Sequence, residues 1–150
     1  MNIKGCLSSN SVHWATPNEL YKKFMSGGHI DPCPYHSVEN GLLYNYSNAK
    51  IYVNPPFKDL NIWVDWIIKQ VENLCTVWLL MPSRTDTKYF AKVFPLISDI
   101  YFFKGRLKYN DGKGVSPFPT MLLRIVNKEP YEDPIAHSLT VEEFIKEVSL

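Results

Sequence analysis

Apolar and polar residues alternate along the chain with two different periods, which predicts both helices and strands. Ile51-Tyr52-Val53 is β-branched and aromatic, and it stops at two prolines. Residues 76–81 form a second apolar run that is closed by Pro82. Short apolar runs ended by proline are typical of strands. Another set recurs at helical spacing and predicts a helix with one buried face: Trp63, Trp66, Ile67, Val71 and Leu74.

Capping residues predict where the other helices begin and end. Thr16-Pro17-Asn18-Glu19 indicates a helix with Thr16 at the N-cap and Pro17 at the first position. Gly27-Gly28 would end this helix. Thr140-Val141-Glu142-Glu143 predicts a capping box and a last short helix, and residues 87–96 favour a further helix.

The order of these elements predicts an α/β fold in a single domain over residues 1–150. A short strand is expected at His29-Ile30-Asp31, and two more at residues 99–109 and 120–126. Alternating strands and helices favour a mostly parallel, compact, Rossmann-like sheet with helices on its faces. Because no helix joins the last two strands, we expect them to form an antiparallel hairpin at one edge.

Composition narrows the class of protein only slightly. The 150 residues are 45% hydrophobic and 21% charged, as expected for one soluble domain. The apolar runs are much shorter than the ~20 residues that cross a bilayer, so no membrane partner is expected. A net charge of +1 argues against a purely electrostatic nucleic-acid binder. Three cysteines without a close pair predict no disulfide framework and a reducing compartment: Cys6, Cys33 and Cys75.

Three polar segments follow expected strands. In parallel α/β sheets, ligands bind beyond the carboxyl ends of the strands, so these segments predict an active site there. The segments are Asp31-Pro32-Cys33, Asn54-Pro55-Pro56-Phe57 and Ser83-Arg84-Thr85-Asp86.

Asn54-Pro55-Pro56-Phe57 has the groups needed to activate an amino group on an aromatic ring. Such an amine is a poor nucleophile until acceptors draw its hydrogens out of conjugation, and the Asn54 side-chain oxygen and the Pro55 carbonyl are two such acceptors. Phe57 offers a flat face, and base–aromatic stacking contributes ~1–3 kcal/mol. The alternative is a plain turn with Phe57 in the core.

Seven segments in this order resemble the phage-type DNA N6-adenine methyltransferases (Dam-like), over roughly residues 13–126. They are Trp14-x-Thr16-Pro17, Asp31-Pro32, Glu39-Asn40-Gly41-Leu42, Asn54-Pro55-Pro56-Phe57, Pro82-x-Arg84-Thr85-Asp86-Thr87, Gly105-Arg106-Leu107 and Pro117-Phe118-Pro119. The resemblance implies a Rossmann-like methyltransferase fold, S-adenosylmethionine as methyl donor, and flipped-out adenine in DNA as acceptor. A phage or prophage origin in a bacterial cytoplasm follows from it.

The resemblance also implies which residues hold the cofactor. Trp14, Thr16 and Pro17 would touch its methionine end, where a helix N-terminus can receive a carboxylate. Asp31 and Pro32 would lie at its amino group or sulfonium, and Glu39 at its ribose hydroxyls. The alternatives are a helix cap for Thr16, an Asx turn for Asp31 and an exposed loop position for Glu39.

By the same resemblance, six residues are candidates for binding DNA: Arg84, Thr85, Asp86, Arg106, Lys108 and Phe118. Phosphate contacts are the expected role of Arg106 and Lys108, and shaping of the pocket wall that of Phe118. The alternatives are a helix cap at Thr85 or Asp86, a solvated hairpin and ordinary core packing.

The chain departs from larger methyltransferases because no Gly-x-Gly turn follows Asp31 and only residues 35–50 separate the first two strands. These departures support one alternative, a degenerate module that binds DNA or a partner. Because Asn-Pro-Pro-aromatic also suits a planar amide, methylation of a glutamine amide or of an RNA base stays open as well. A homo-oligomer is also possible. The imidazole, carboxylate and thiol groups between His29 and His36 do not amount to a zinc site, and no metal is expected.

Overall fold

The structure, a computed structural model, describes residues 14–109 and 114–150, which contain seven strands and four α-helices. The helices are α1 (Asn18–Ser26), α2 (Leu60–Glu72), α3 (Lys88–Val93) and α4 (Val141–Glu147). The strands are β1 (Lys50–Val53), β2 (Thr76–Pro82), β3 (Ile97–Phe103), β4 (Lys108–Tyr109), β5 (Gly114–Val115), β6 (Thr120–Ile125) and β7 (Ile135–Leu139).

Five of the strands form one mixed sheet in the order β1-β2-β6-β3-β7. The β1/β2 and β3/β7 pairs are parallel, whereas β6 is antiparallel to both of its neighbours, β2 and β3. Ile30 adds one parallel bridge to Ile51 at the outer side of β1, where the sequence predicts a short strand. β4 and β5 pair separately as a two-stranded ribbon. The fold is therefore α/β, as expected.

Helices cover both faces of the sheet. On β1 and β2, alternate residues such as Ile51, Val53 and Leu79 belong to the apolar cluster that includes Trp63 and Ile67 of α2. The residues between them, including Tyr52 and Trp78, belong to a second cluster with residues of α1 and α4. Because successive side chains of a strand point to opposite faces, the two-residue period of the sequence produces these two layers.

The predicted antiparallel pair exists, but its predicted position at the sheet edge is wrong. β6 inserts between β2 and β3, and the edge is formed by β7, which the sequence did not predict. The burial pattern of β7 explains the omission, because none of its five residues is fully buried. An edge strand without an apolar face leaves little periodic signal.

Three of the four helix starts can be compared with the prediction. α4 has the predicted capping box, with Thr140 and Glu143 bonded reciprocally. α3 begins after Thr87, whose side chain accepts from the Phe90 N–H. α1 begins one residue later than expected, with Pro17 at the N-cap and no side-chain cap hydrogen bond, so the predicted capping role of Thr16 is wrong.

Two other predictions need correction. Leu74 lies beyond α2, has a positive φ of 64° and is 59% exposed, so it does not extend the buried stripe.

The cysteines differ from the expectation of no disulfide. Cys33 is disulfide-bonded, whereas Cys75 is a free, buried thiol. Cys6 and the connection 110–113 between the two strands predicted at residues 99–109 and 120–126 lie outside the described ranges. None of the described helices is both long and apolar enough to span a bilayer.

The capping box of α4 gives a test of the fold. Replacing Thr140 by Ala removes the acceptor for the Glu143 N–H, which lies 3.1 Å from the Thr140 hydroxyl oxygen. We expect Thr140→Ala to lower the free energy of unfolding by about 1 kcal/mol, measured by urea denaturation. Ser138→Ala, at an exposed position of β7, is the control. Equal midpoints for both variants would contradict the capping role.

Candidate functional site

The carboxyl ends of the parallel strands and the N-terminus of α1 meet at one edge of the sheet. Asp31 follows the Ile30 bridge, and Asn54 follows β1. Thr16, two residues before α1, contacts Asn54 and Tyr52 through its hydroxyl. Segments that are far apart in sequence therefore converge here, at the edge where α/β sheets bind ligands.

Asn54 is held in place by two hydrogen bonds. Its Nδ2 donates to the Trp14 carbonyl oxygen at 2.5 Å and to the Thr16 Oγ1 at 3.1 Å. The side chain is only 3% exposed, and Pro55 and Pro56 are also buried. The amide is thus a rigid group at the end of β1 and does not belong to a mobile turn.

A cavity of about 290 Å³ opens beside Asn54. This volume is near the lower end of the ~300–1,000 Å³ found for small-molecule sites. Three expected site residues line it, namely Thr16, Asp31 and Asn54. The other lining residues are Ala15, Asn18, Tyr21, Cys33, Pro34 and Tyr35. The arrangement is a mixed polar and aromatic pocket between α1 and the first two strand ends.

Asp31 is the acidic group of this cavity. Its Oδ1 accepts from the Cys33 N–H at 2.8 Å, which is the Asx turn that the sequence also allowed. Burial raises the pKa of Asp31 to about 6, and the hydrogen bonds from Cys33 and Tyr21 only partly offset this rise. Burial, with Asp31 beside it, raises the pKa of Tyr21 to about 12. The carboxylate therefore gains from a cation placed in the cavity.

The N-terminus of α1 supplies charge of the opposite sign. Asn18, its first residue, lines the cavity, and Pro17 contributes no capping side chain. The first N–H groups of a helix carry a partial positive charge that favours an anion. A cavity with a helix N-terminus and a carboxylate suits a ligand with both a carboxylate and an ammonium group.

Four aromatic rings surround the corner beyond Asn54. Trp14 lies 5.2 Å from Tyr109 and 6.0 Å from Phe118, measured between ring centroids. Phe57 meets Phe118 edge-on at 5.3 Å. The two expected substrate residues Phe57 and Phe118 are therefore in contact, and both are half-buried. Phe57 packs partly on the core and does not stand free.

The segment after Asp31 is held where the backbone at Gly41 packs closely against Pro32. A Cβ on Gly41 would lie 1.8 Å from the carbonyl oxygen of Pro32, so only glycine fits. Asn40 fixes the next turn by accepting from the Leu42 N–H at 3.1 Å. Pro32 is buried by this contact and does not line the cavity. Glu39 is exposed, accepts from the Tyr44 hydroxyl at 3.2 Å and is also absent from the cavity wall.

The expected DNA-contacting residues lie on exposed segments near the same edge. Arg84, Thr85 and Asp86 are exposed after β2, and Thr87 rather than Thr85 or Asp86 caps α3. Arg106 and Lys108 are exposed and line a shallow depression of about 210 Å³ together with Lys104 and the start of α4. The structure thus groups the two hairpin cations with a third that the sequence did not single out.

The residues that the sequence interpretation missed at the site include Asn18, Tyr21 and Tyr52. Asn18 and Tyr21 lie in the first turn of α1, next to the expected Thr16 and Pro17, so helical spacing was an available signal. Tyr52 precedes Asn54 by two residues, so the strand period puts both on one face.

Comparison of the chain with protein-family models, with curated proteins and with solved structures gives no match. Within residues 14–109 and 114–150, no three His, Cys, Asp or Glu side chains come together as a metal site requires.

The contact between Gly41 and Pro32 gives a test of how the cavity wall is built. Gly41→Ala forces the Pro32 carbonyl to move, and overpacking of this kind costs ~1–3 kcal/mol. We expect a lower midpoint in urea denaturation, whereas Ser47→Ala, an exposed residue of the same connection, should leave it unchanged. If the Gly41→Ala variant is as stable as the parent, the backbone at Gly41 does not lie close to the Pro32 carbonyl oxygen.

Proposed function

We propose that this protein is an S-adenosylmethionine-dependent methyltransferase that acts on the N6 amino group of adenine in DNA. The observation that supports it most strongly is that Thr16, Asp31 and Asn54 line one cavity at the carboxyl edge of the sheet. These residues come from three different segments of the resemblance, and their convergence was expected from it. A Rossmann-like methyltransferase sheet and a phage or prophage enzyme in a bacterial cytoplasm belong to the same proposal.

The cavity fits the amino-acid end of the cofactor. The N-terminus of α1 would hold its carboxylate, and the ionised Asp31 carboxylate would hold its ammonium group. When bound, S-adenosylmethionine supplies a methyl group already activated on a sulfonium, so the chain's own residues need mainly to position the acceptor.

Asn54 and Pro55 would receive the adenine. The N6 hydrogens would be donated to the Asn54 Oδ1 and the Pro55 carbonyl oxygen, which frees the nitrogen lone pair, and the N6 proton would leave to solvent. Phe57, backed edge-on by Phe118, would stack on the extruded base.

Exposed cations would hold the DNA backbone. Arg106 and Lys108 line one shallow depression with Lys104, and Arg84 is exposed after β2. Such residues position a duplex without reading its sequence. A second copy of the chain could extend this small surface.

The central test is methyl transfer itself. We expect labelled methyl groups to pass from S-adenosylmethionine to DNA, and N6-methyladenine to appear when the DNA is digested to nucleosides and measured by mass spectrometry. RNA and protein substrates assayed in parallel separate the other acceptors. Label found only in RNA or in glutamine would replace the proposed substrate, and absence of cofactor binding with or without DNA would favour a degenerate module.

Replacing Asn54 tests the reaction centre. Asn54→Ala removes one acceptor from the amino group, and loss of one positioned hydrogen-bonding group typically lowers kcat by ~10²–10³-fold. We expect this loss in kcat with little change in cofactor affinity. Asn61→Ala, at an exposed position on α2, is the matched control. If Asn54→Ala methylates DNA at the parent rate, Asn54 does not have this role.

Asp31 gives a prediction for pH. Its folded pKa of about 6 exceeds the ordinary 3.8, so the folded chain holds this proton more tightly than the unfolded chain. The resulting contribution to folding is present below 3.8 and is lost as pH rises through about 6. Ammonium binding needs the ionised form, so cofactor affinity should rise with pH up to about 6 and then level off.

Calorimetry of S-adenosylmethionine binding between pH 5 and 8 measures this effect. Below the pKa of Asp31 the affinity should fall up to about tenfold per pH unit, with release of a proton on binding. Asp31→Asn should bind more weakly and lose this slope. An unchanged slope in Asp31→Asn would assign the titration to another group.

A further inference from the structure

Tyr52 is a buried tyrosine whose hydroxyl reaches the candidate site. Its side chain is 0% exposed, and its ring stacks on Phe24 of α1 with centroids 4.3 Å apart and planes 22° apart. Tyr21 meets the same ring edge-on at 6.2 Å. Because both rings belong to α1, helix packing fixes where the Tyr52 hydroxyl lies.

From this hydroxyl a chain of hydrogen bonds leads to Asn54. The Tyr52 hydroxyl lies 2.8 Å from the Thr16 Oγ1, and the same Oγ1 accepts from the Asn54 Nδ2 at 3.1 Å. A threonine hydroxyl has two acceptor positions, so it can accept from Tyr52 and Asn54 together. Burial keeps the pKa of Tyr52 well above its ordinary value, so the phenol stays protonated and able to donate.

The orientation of the Asn54 amide follows from these partners. The Trp14 carbonyl oxygen can only accept, so the atom 2.5 Å from it must be the amide nitrogen. Rotation of the amide by half a turn would bring its oxygen against the Trp14 carbonyl oxygen, which cannot donate. Trp14 and Thr16 therefore hold the nitrogen, and with it the rotational state that decides where the amide oxygen lies.

We propose that Tyr52 is a positioning residue that, through the Thr16 hydroxyl, locks the Asn54 amide with its oxygen directed toward a substrate amino group. The proposal rests on the function proposed above. Tyr52 does not line the cavity and touches neither substrate nor cofactor; it acts only through Thr16 and Asn54.

The kinetic test uses Tyr52→Phe, which keeps the ring and removes the hydroxyl. Loss of one hydrogen bond should lower kcat for DNA methylation about five- to tenfold, while KM for S-adenosylmethionine stays constant. Tyr101→Phe is the control, because Tyr101 is also a buried tyrosine on the same face of the sheet. A Tyr52→Phe variant with parent kcat, or one whose KM alone changes, would overturn the proposal.

Thr16 variants keep the test decisive if Tyr52→Phe folds poorly. Thr16→Val removes the link and should lower kcat, and Thr16→Ser, which restores the hydroxyl, should recover most of that loss. Adding Tyr52→Phe to Thr16→Val should cost little more, because both changes break one chain of hydrogen bonds. Equal activities of the Thr16→Ser and Thr16→Val variants would contradict the proposal.

Hydrogen exchange of the Asn54 side-chain amide does not depend on catalysis. It therefore tests the role of Tyr52 separately from the proposed function. The side-chain amide hydrogens of Asn54, assigned by their loss in Asn54→Ala, should exchange with solvent at least several-fold faster in Tyr52→Phe than in the parent or Tyr101→Phe. Faster exchange in a protein that methylates nothing would leave the locked amide standing and reject the methyltransferase. Unchanged exchange in the Tyr52→Phe variant of an active enzyme would reject the locked amide and leave the proposed methyltransferase standing.

Discussion

The alternation of side chains along β1 is the constraint on which both the core and the candidate site depend. Ile51 and Val53 face the layer of α2, while Tyr52 faces α1. Asn54 continues the second row, so its amide arrives beside Thr16 at the start of α1. A slip of one residue in the pairing with β2 would exchange the two rows and turn the amide toward the other helix layer.

The candidate site combines groups that are costly for the folded chain to hold. Burial of Asp31 opposes its ionisation, and Gly41 is needed where a Cβ would meet the Pro32 carbonyl. Neither feature improves the core, which is supplied by the rows of apolar residues on both faces of the sheet. Titratable groups with shifted pKa values in a cavity occur most often where a protein binds or reacts with a ligand. A ligand with a cationic group would offset the cost of burying the Asp31 carboxylate.

The sequence predicted features that depend on neighbours along the chain. The capping box of Thr140 and Glu143, the end of α1 at Gly27 and the helix period of Trp63, Trp66 and Ile67 are all local, and the structure confirms them. The sequence indicated Thr16 as the cap of α1, whereas the Thr16 hydroxyl lies 2.8 Å from the Tyr52 hydroxyl. A contact between residues so far apart along the chain cannot be read from the sequence. The position of β6 between β2 and β3 was missed for the same reason, since strand order is fixed by packing between distant segments. Convergence at the strand ends could be predicted, because it follows from the direction of parallel strands.

The short connection between Asp31 and β1 lacks a glycine-rich turn, yet it forms a wall of the cavity through Cys33, Pro34 and Tyr35. Its ordering comes from α2. The fully buried Gln70 accepts from the Tyr46 N–H at 2.8 Å and donates to the Asn45 Oδ1 at 3.2 Å, and the Trp66 indole N–H donates to the Tyr44 carbonyl at 2.9 Å.

Two of these bonds satisfy backbone groups that a strand would otherwise pair in a sheet, namely the Tyr46 N–H and the Tyr44 carbonyl. Polar side chains of one helix thus replace the pairing that additional strands would give. The connection therefore keeps a shaped cavity next to Asp31 without them, because the Cys33 disulfide, the bonds to α2 and the close approach at Gly41 together fix its course.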